Sequence, residues 1–161
     1  MRAASCAGWP EPPGVDQGRG DAGGHDAGRR LARAGPPRGY EAFLDDLAAQ
    51  GCAAMGYRLT GPDPLPRLCV QHLRAQDRVV VAFPAVDEAW ILLVGPHRDD
   101  APGRNVYDLL YQLAGVAPPE QARRTKPPCC DEQTSTPPPI AVNELDTLVD
   151  SARRLVRQQH V

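Results

Sequence analysis

Two apolar runs of strand length, separated by a short turn, constrain the fold of this chain more than any other feature of its sequence. The first run covers residues 79–83 and the second covers residues 90–94, and β-branched and aromatic side chains are common in both. Residues 84–88 between them contain a proline and two acidic residues, as a turn does. Neither run alternates with polar residues, so the pattern predicts a β-hairpin whose arms lie in the middle of a sheet.

The second arm of this hairpin ends at Gly95-Pro96, and the next residue is His97. Proline cannot donate a hydrogen bond to a neighbouring strand, and glycine frees the backbone to turn. The sequence therefore predicts that a titratable side chain lies at the rim of a rigid sheet.

Further elements are predicted on both sides of the hairpin. Apolar residues recur at helical spacing over residues 40–55, 106–113 and 142–159, and residues 57–60 and 67–73 are typical of short strands. Asn105 and Gly115 stand where a cap and a stop of the second helix are expected. We expect an α+β fold: a helix, three to four antiparallel strands, a helix, and a C-terminal helix.

Glycine and proline divide the chain into segments. The 18 prolines and 15 glycines fall mostly in residues 1–39 and 116–139. We therefore expect a disordered tail at 1–38, a folded core at 39–115, a proline-rich linker at 116–139 and a C-terminal helix at 140–161. That helix either packs back on the sheet, which we favour, or binds a partner protein.

Charge and cysteine content narrow the class of protein. The core carries six basic and ten acidic residues, which argues against a general nucleic-acid binder but leaves room for a local basic strip. Five cysteines without paired spacing favour a reducing cytosol, with Cys129-Cys130 as exposed thiols. We find no apolar run of membrane-spanning length and expect a soluble, cytoplasmic protein with no membrane association. Arg123, Arg124 and Lys126 are interpreted as solvated linker charges.

His72 and His97 are the two histidines of the predicted core. If the strands that carry them both pair with the strand that begins at Arg78, they run parallel to each other and end at the same rim. The alternative is that each histidine is simply solvated or satisfied by local contacts.

The order of short motifs resembles that of the RelE/ParE toxin superfamily, and most closely its YafQ-type branch. The motifs are Leu59-Thr60-Gly61, the Cys69–Leu73 stretch, Asp77-Arg78, Gly95-Pro96-His97 and Val106-Tyr107. They cover about residues 40–115. The resemblance implies a RelE-like core and the toxin of a type II toxin-antitoxin system. Such a toxin is an endoribonuclease that cuts mRNA on the ribosome and is inhibited by a cognate antitoxin protein.

The resemblance also implies roles for individual residues. His72 and His97 would be the acid and base, in an order left open, with Asp77 orienting them or sharing the proton transfer. Arg78 would stabilise the phosphorane formed when the RNA 2′-hydroxyl attacks the adjacent phosphorus. Metal and cofactor are not needed for this reaction. The residues implied to bind RNA are Arg74, Arg98 and Tyr107.

Two alternatives remain open at this point. Instead of an endoribonuclease, the chain could be a non-catalytic interaction module that keeps the RelE-like fold, or a ParE-type inhibitor of DNA gyrase. The gyrase inhibitor would not need the two histidines at all.

Overall fold

The computed structural model describes residues 39–100, 103–121 and 125–159, so the predicted disordered tail at 1–38 lies outside the described residues. The predicted α+β class is confirmed by a four-stranded antiparallel sheet with flanking helices. In chain order the elements are α1 (Tyr40–Gln50), β1 (Tyr57–Arg58), β2 (Leu68–His72), β3 (Asp77–Ala85), β4 (Glu88–Pro96), α2 (Val106–Ala114) and α3 (Val142–Gln159).

The sheet is a meander with strand order β1-β2-β3-β4, and all its pairs are antiparallel. Its longest hairpin joins β3 to β4 through the two residues Val86 and Asp87, close to where the sequence predicts a turn. The expectation that both arms lie mid-sheet is wrong for β4, which is an edge strand. Of its apolar side chains only Leu92 is buried; Trp90, Ile91 and Leu93 are partly buried against the two cores, and Val94 is exposed.

Each face of the sheet has its own hydrophobic core. Residues of β3 alternate between the two faces, as strand geometry requires. Val80 and Ala82 pack with α2, α3 and the loop residue Leu65, and Val79, Val81 and Phe83 pack with α1. The sheet is thus the central layer of three.

The helix boundaries reflect local signals. α1 begins after Gly39, which has a φ of +85°, and it ends before the predicted residue 55 because residues 51–54 form a separate 3₁₀ turn. The side chain of Asn105 accepts a hydrogen bond from the backbone N–H of Tyr107, and this N-cap begins α2 where the sequence predicts it. Gly115, with a φ of +68°, ends α2.

Two disulfides tie the proline-rich segment to the core, so the prediction that Cys129 and Cys130 are exposed thiols is wrong. Cys69 of β2 is bonded to Cys129, and Cys52 is bonded to Cys130. Cys129 is 2% exposed, and the backbone N–H of Ile140 donates to the carbonyl of Phe83 at 3.3 Å. The segment from Cys129 to Ile140 is therefore held against the sheet.

The prediction that α3 packs back on the sheet is confirmed. Leu145 and Leu148 are buried in the core that α2 shares, and Arg67 donates to Glu144 at 3.2 Å. Within the described ranges, none of the helices is long and apolar enough to span a membrane.

Candidate functional site

Strand register brings the predicted site residues to one rim of the sheet. His72 at the end of β2 is the backbone partner of Arg78 at the start of β3, and Arg78 is the partner of Gly95 near the end of β4. Partners in antiparallel strands direct their side chains to the same face. The side chains of His72 and Arg78 therefore project from the face of the sheet that α2 covers. Val70 and Val80 lie two residues away on the same strands, so they share this face, and they pack against α2.

His97 reaches the same rim from β4. Its backbone N–H donates to the carbonyl of Gln76 at 2.8 Å, which fixes it beside the turn between β2 and β3. Its imidazole meets the ring of Tyr107 edge to face at a centroid distance of 4.8 Å. Its Nε2 also lies 3.5 Å from Asp99, but that carboxylate is 91% exposed, so the pair adds little rigidity.

Two tyrosines link the histidines. The hydroxyl groups of Tyr57 and Tyr107 are hydrogen-bonded to each other, and the ring of Tyr57 lies 6.0 Å from that of His72 in a T-shaped contact. The chain of contacts His72, Tyr57, Tyr107, His97 thus crosses the rim. Burial, together with the hydrogen bond to Tyr107, raises the pKa of Tyr57, so this phenol stays protonated at neutral pH.

Arg78 is a partly buried cation without a carboxylate partner among the described residues. Its Nη1 donates to the carbonyl of Asp77 at 2.9 Å, and its Nε is sealed from solvent with no hydrogen-bond partner in the part of the chain that the structure describes. Arg67, Arg98 and Arg153 each pair with an acidic side chain. Arg74 and Arg104, which have no such pair within the described ranges, are exposed, whereas the Nε of Arg78 is buried. A cation left uncompensated in this way favours an anionic ligand.

The surroundings of His72 favour its neutral form. Partial desolvation lowers the pKa of His72 first, and the positive charges of Arg78, Lys126 and His97 lower it further. An imidazole that is neutral at pH 7 can accept a proton. His72 is also exposed, so a ligand in solvent can reach it.

Lys126 is the site residue that the sequence interpretation missed most clearly. Its Nζ lies 5.0 Å from the ring centroid of Tyr57, in a cation–π contact, and its charge acts on His72. Lys126 was predicted to be a solvated linker charge. No local pattern indicates otherwise, because Lys126 follows Tyr57 by 69 residues and the disulfides bring it back.

The structure does not bring the carboxylate of Asp77 to this cluster. Asp77 precedes Arg78 on β3, so its side chain projects from the face of the sheet opposite to that of Arg78. Only its backbone takes part: the carbonyl accepts from Arg78 and from the backbone N–H of Leu73. The predicted role of Asp77 in proton transfer is therefore not supported.

The two predicted RNA-binding arginines lie at the margins. Arg74 packs on Gly39 at the start of α1: a Cβ added to Gly39 would lie 3.2 Å from the Cγ of Arg74. Because α1 covers the face of the sheet opposite to His72 and Arg78, Arg74 lies away from them. Arg98 is exposed, and its Nε lies 3.4 Å from Asp100, which neutralises its charge. Tyr107 is at the rim, but its ring already contacts His97 and its hydroxyl is already hydrogen-bonded to Tyr57.

Comparisons with protein-family models, curated proteins and solved structures found no match to this chain. The RelE/ParE resemblance therefore stays a prediction. What remains is the geometry: an exposed imidazole that is neutral at pH 7, a second imidazole, and two cations without carboxylate partners in the described ranges. Within those ranges, no group of three or more histidine, cysteine, aspartate or glutamate side chains is arranged to hold a metal ion.

Proposed function

We propose that this rim binds the phosphodiester backbone of RNA and that the protein is an endoribonuclease. The observation that carries the proposal is the position of Arg78, a partly buried guanidinium without an acidic partner in the described ranges, directly across from His72. A planar guanidinium matches the oxygens of a phosphate, and an imidazole beside it can move a proton to or from the same group.

The proposed reaction is attack of a ribose 2′-oxygen on the adjacent phosphorus. His72 removes the 2′-hydroxyl proton, because its lowered pKa keeps it neutral at pH 7. The bond from phosphorus to the 5′-oxygen breaks, and His97 donates a proton to that oxygen. The products are a 2′,3′-cyclic phosphate and a free 5′-hydroxyl, and Arg78 stabilises the extra negative charge that develops between them.

Tyr107 has a different role in this proposal from the base stacking that the resemblance implies. Its ring contacts His97, and its hydroxyl is hydrogen-bonded to that of Tyr57. We assign it the task of holding the imidazole of His97 in position, because a general acid contributes only when it is within hydrogen-bond reach of the leaving oxygen.

The test is cleavage of a single-stranded RNA by the oxidised full-length chain in buffer that contains EDTA. We expect cyclic-phosphate ends, and we expect H72A and H97A each to lower the rate about 10²-fold or more. His25 lies in the segment before the described residues, so H25A serves as the matched control and retains the wild-type rate. Full activity in H72A, or cleavage of an all-2′-deoxy strand, would overturn the proposal.

The toxin role is a narrower proposal that rests on the resemblance alone. It adds mRNA on the ribosome as substrate, a cognate antitoxin as partner and the cytoplasm as location. The two disulfides weigh against this version, because structural disulfides are rare in a reducing cytosol and common in oxidising compartments. The test is growth inhibition by the protein expressed in the cytosol, which the narrower version requires.

A non-catalytic interaction module is the second candidate. The observation in its favour is that α3 exposes an apolar side chain near each end: Val142 is 65% exposed and Val156 is 52% exposed. This candidate predicts that no RNA is cleaved and that V142D with V156D abolishes partner binding while both His72 and His97 remain dispensable.

A further inference from the structure

We propose that Lys126 is a phosphate-binding residue of the rim and that the Cys69–Cys129 disulfide holds it there. This inference rests on the proposed function, because it names a further contact of the same site. It also makes phosphate binding dependent on oxidation of the protein, which the endoribonuclease proposal alone does not require.

The position of Lys126 supports a binding role. Its ammonium lies against the Tyr57 ring, and the side chain is exposed. Among the described residues it has no acidic partner, so a phosphate oxygen would be its first counter-charge there. Together with Arg78, it places two such cations close enough to His72 for both charges to act on its imidazole.

Lys126 is attached to the sheet through the residues on its C-terminal side. The carbonyl of Pro127 accepts from the backbone N–H of Arg58 at 2.9 Å, and Cys129 is bonded to Cys69 in the central part of the sheet. The anchor is therefore three residues from the lysine. The second disulfide, between Cys52 and Cys130, holds the same segment from the side of α1.

Reduction of Cys69–Cys129 frees this anchor. The step consumes one dithiol reductant, whose two thiols become a disulfide while Cys69 and Cys129 each gain a hydrogen. Cys69 and Cys129 are 0% and 2% exposed, so we expect this bond to resist mild reductant in the folded protein. A cysteine-to-serine pair reproduces the released state without reductant.

The first experiment measures binding of a 2′-deoxy octanucleotide, which cannot be cleaved through a 2′-hydroxyl, to the oxidised full-length chain. We expect K126Q to weaken binding about tenfold and to reduce the slope of log K against log salt concentration by about 0.7. K126R should restore both the affinity and the slope. If K126Q keeps the wild-type affinity and slope while R78Q loses binding, the role of Lys126 is overturned and the proposed function is not. If wild-type protein does not bind the strand, both this inference and the proposed function fail.

The second experiment uses the fact that Lys126 is the one lysine of the chain. Reductive methylation with ¹³C-formaldehyde labels its Nζ and the N-terminal amine, and K126R identifies the lysine signal. We expect this signal to be shifted upfield by the Tyr57 ring in wild-type protein and to move to its free-peptide position in C69S with C129S. The same variant should bind the octanucleotide no better than K126Q.

Removal of the other disulfide is the matched control. C52S with C130S loses one cross-link of the same segment but keeps Cys69–Cys129, so it should retain both the shifted methyl signal and wild-type affinity. Thermal unfolding establishes that each pair is folded at the temperature of measurement. If C69S with C129S is folded and keeps the methyl shift and the affinity, the disulfide does not hold Lys126, and that part of the inference is overturned.

Discussion

His72 and Arg78 are backbone partners on β2 and β3, and their side chains project from the same face of the sheet. The guanidinium has no acidic partner among the described residues, so its positive charge acts on the imidazole without compensation. A partly buried guanidinium without an acidic partner is unfavourable for folding unless something anionic binds beside it. The placement of Arg78 beside His72 is therefore the feature of the rim that stability alone does not explain and that a ligand-binding function does.

The first prediction concerns the pKa of His72, measured by NMR titration of its imidazole. The groups that face it are Tyr57, Arg78, Lys126 and His97; partial desolvation lowers its pKa first, and the charges of the last three lower it further. We expect a pKa below the ordinary value of about 6.5. R78Q should raise it towards that value, whereas R78K, which keeps the charge, should leave it low.

The same shift sets the sign of a pH effect on stability. The folded pKa of His72 lies below the unfolded one, so the unfolded chain binds the proton more tightly. The contribution of His72 is complete above about pH 6.5 and is lost as pH falls through the folded value. Denaturant unfolding from pH 7.5 downwards should show a smaller decline in H72Q; a steeper decline in that variant would contradict the assignment.

The second prediction tests whether Tyr57 and Tyr107 act as a pair. Y57F and Y107F should each lower the free energy of unfolding by about 1 kcal/mol, because each leaves the other hydroxyl without its partner. The double variant should cost less than the sum of the two, since it removes both polar groups. Strict additivity in this double-mutant cycle would show that the two hydroxyls do not interact.

The third prediction concerns Asn105, which connects α2 to the loop after His97. Its Oδ1 accepts from the backbone N–H of Tyr107 at 3.0 Å, and its Nδ2 donates to the carbonyl of Arg98 at 3.2 Å. N105A should cost about 1 kcal/mol through loss of the cap. N105D keeps the cap and loses the donor, so it should recover stability yet still alter the NMR signals of His97. Equal stability of N105A and N105D would contradict the role of the cap.

The fourth prediction concerns the two disulfides, which close loops of 60 and 78 residues in sequence separation. In the chain-entropy treatment each stabilises the fold by about 4 kcal/mol, although overlapping loops do not add. Because four of the five cysteines are in these disulfides, a thiol assay of the native oxidised chain should detect at most one thiol, and five after reduction in denaturant. Detection of five thiols without reductant, in protein prepared under oxidising conditions, would contradict the pairing.

Local sequence signals predicted the elements but not how distant segments join. Asn105 and Gly115 mark the ends of α2, and the apolar runs mark the longest hairpin, because caps and periodicity act within a few residues. The position of β4 at the sheet edge escaped prediction, since an edge strand whose side chains are partly buried on both faces can have the same apolar pattern as a central strand.

The candidate site divides in the same way. Strand pairing was enough to place His72 opposite Arg78 and to bring His97 to the same rim. Alternation along β3 should also have excluded the carboxylate of Asp77, because adjacent residues leave opposite faces. Lys126 was beyond sequence reasoning, since its place depends on a disulfide between residues 60 positions apart.

The most direct measurement monitors the imidazole signals of His72 and His97 while a 2′-deoxy dinucleotide is added to the oxidised full-length chain. If the rim is one phosphodiester site, both signals shift with the same dissociation constant, and R78Q weakens both responses together while R67Q weakens neither. Shifts at only one imidazole, or different constants for the two, would contradict a shared site and with it the endoribonuclease proposal.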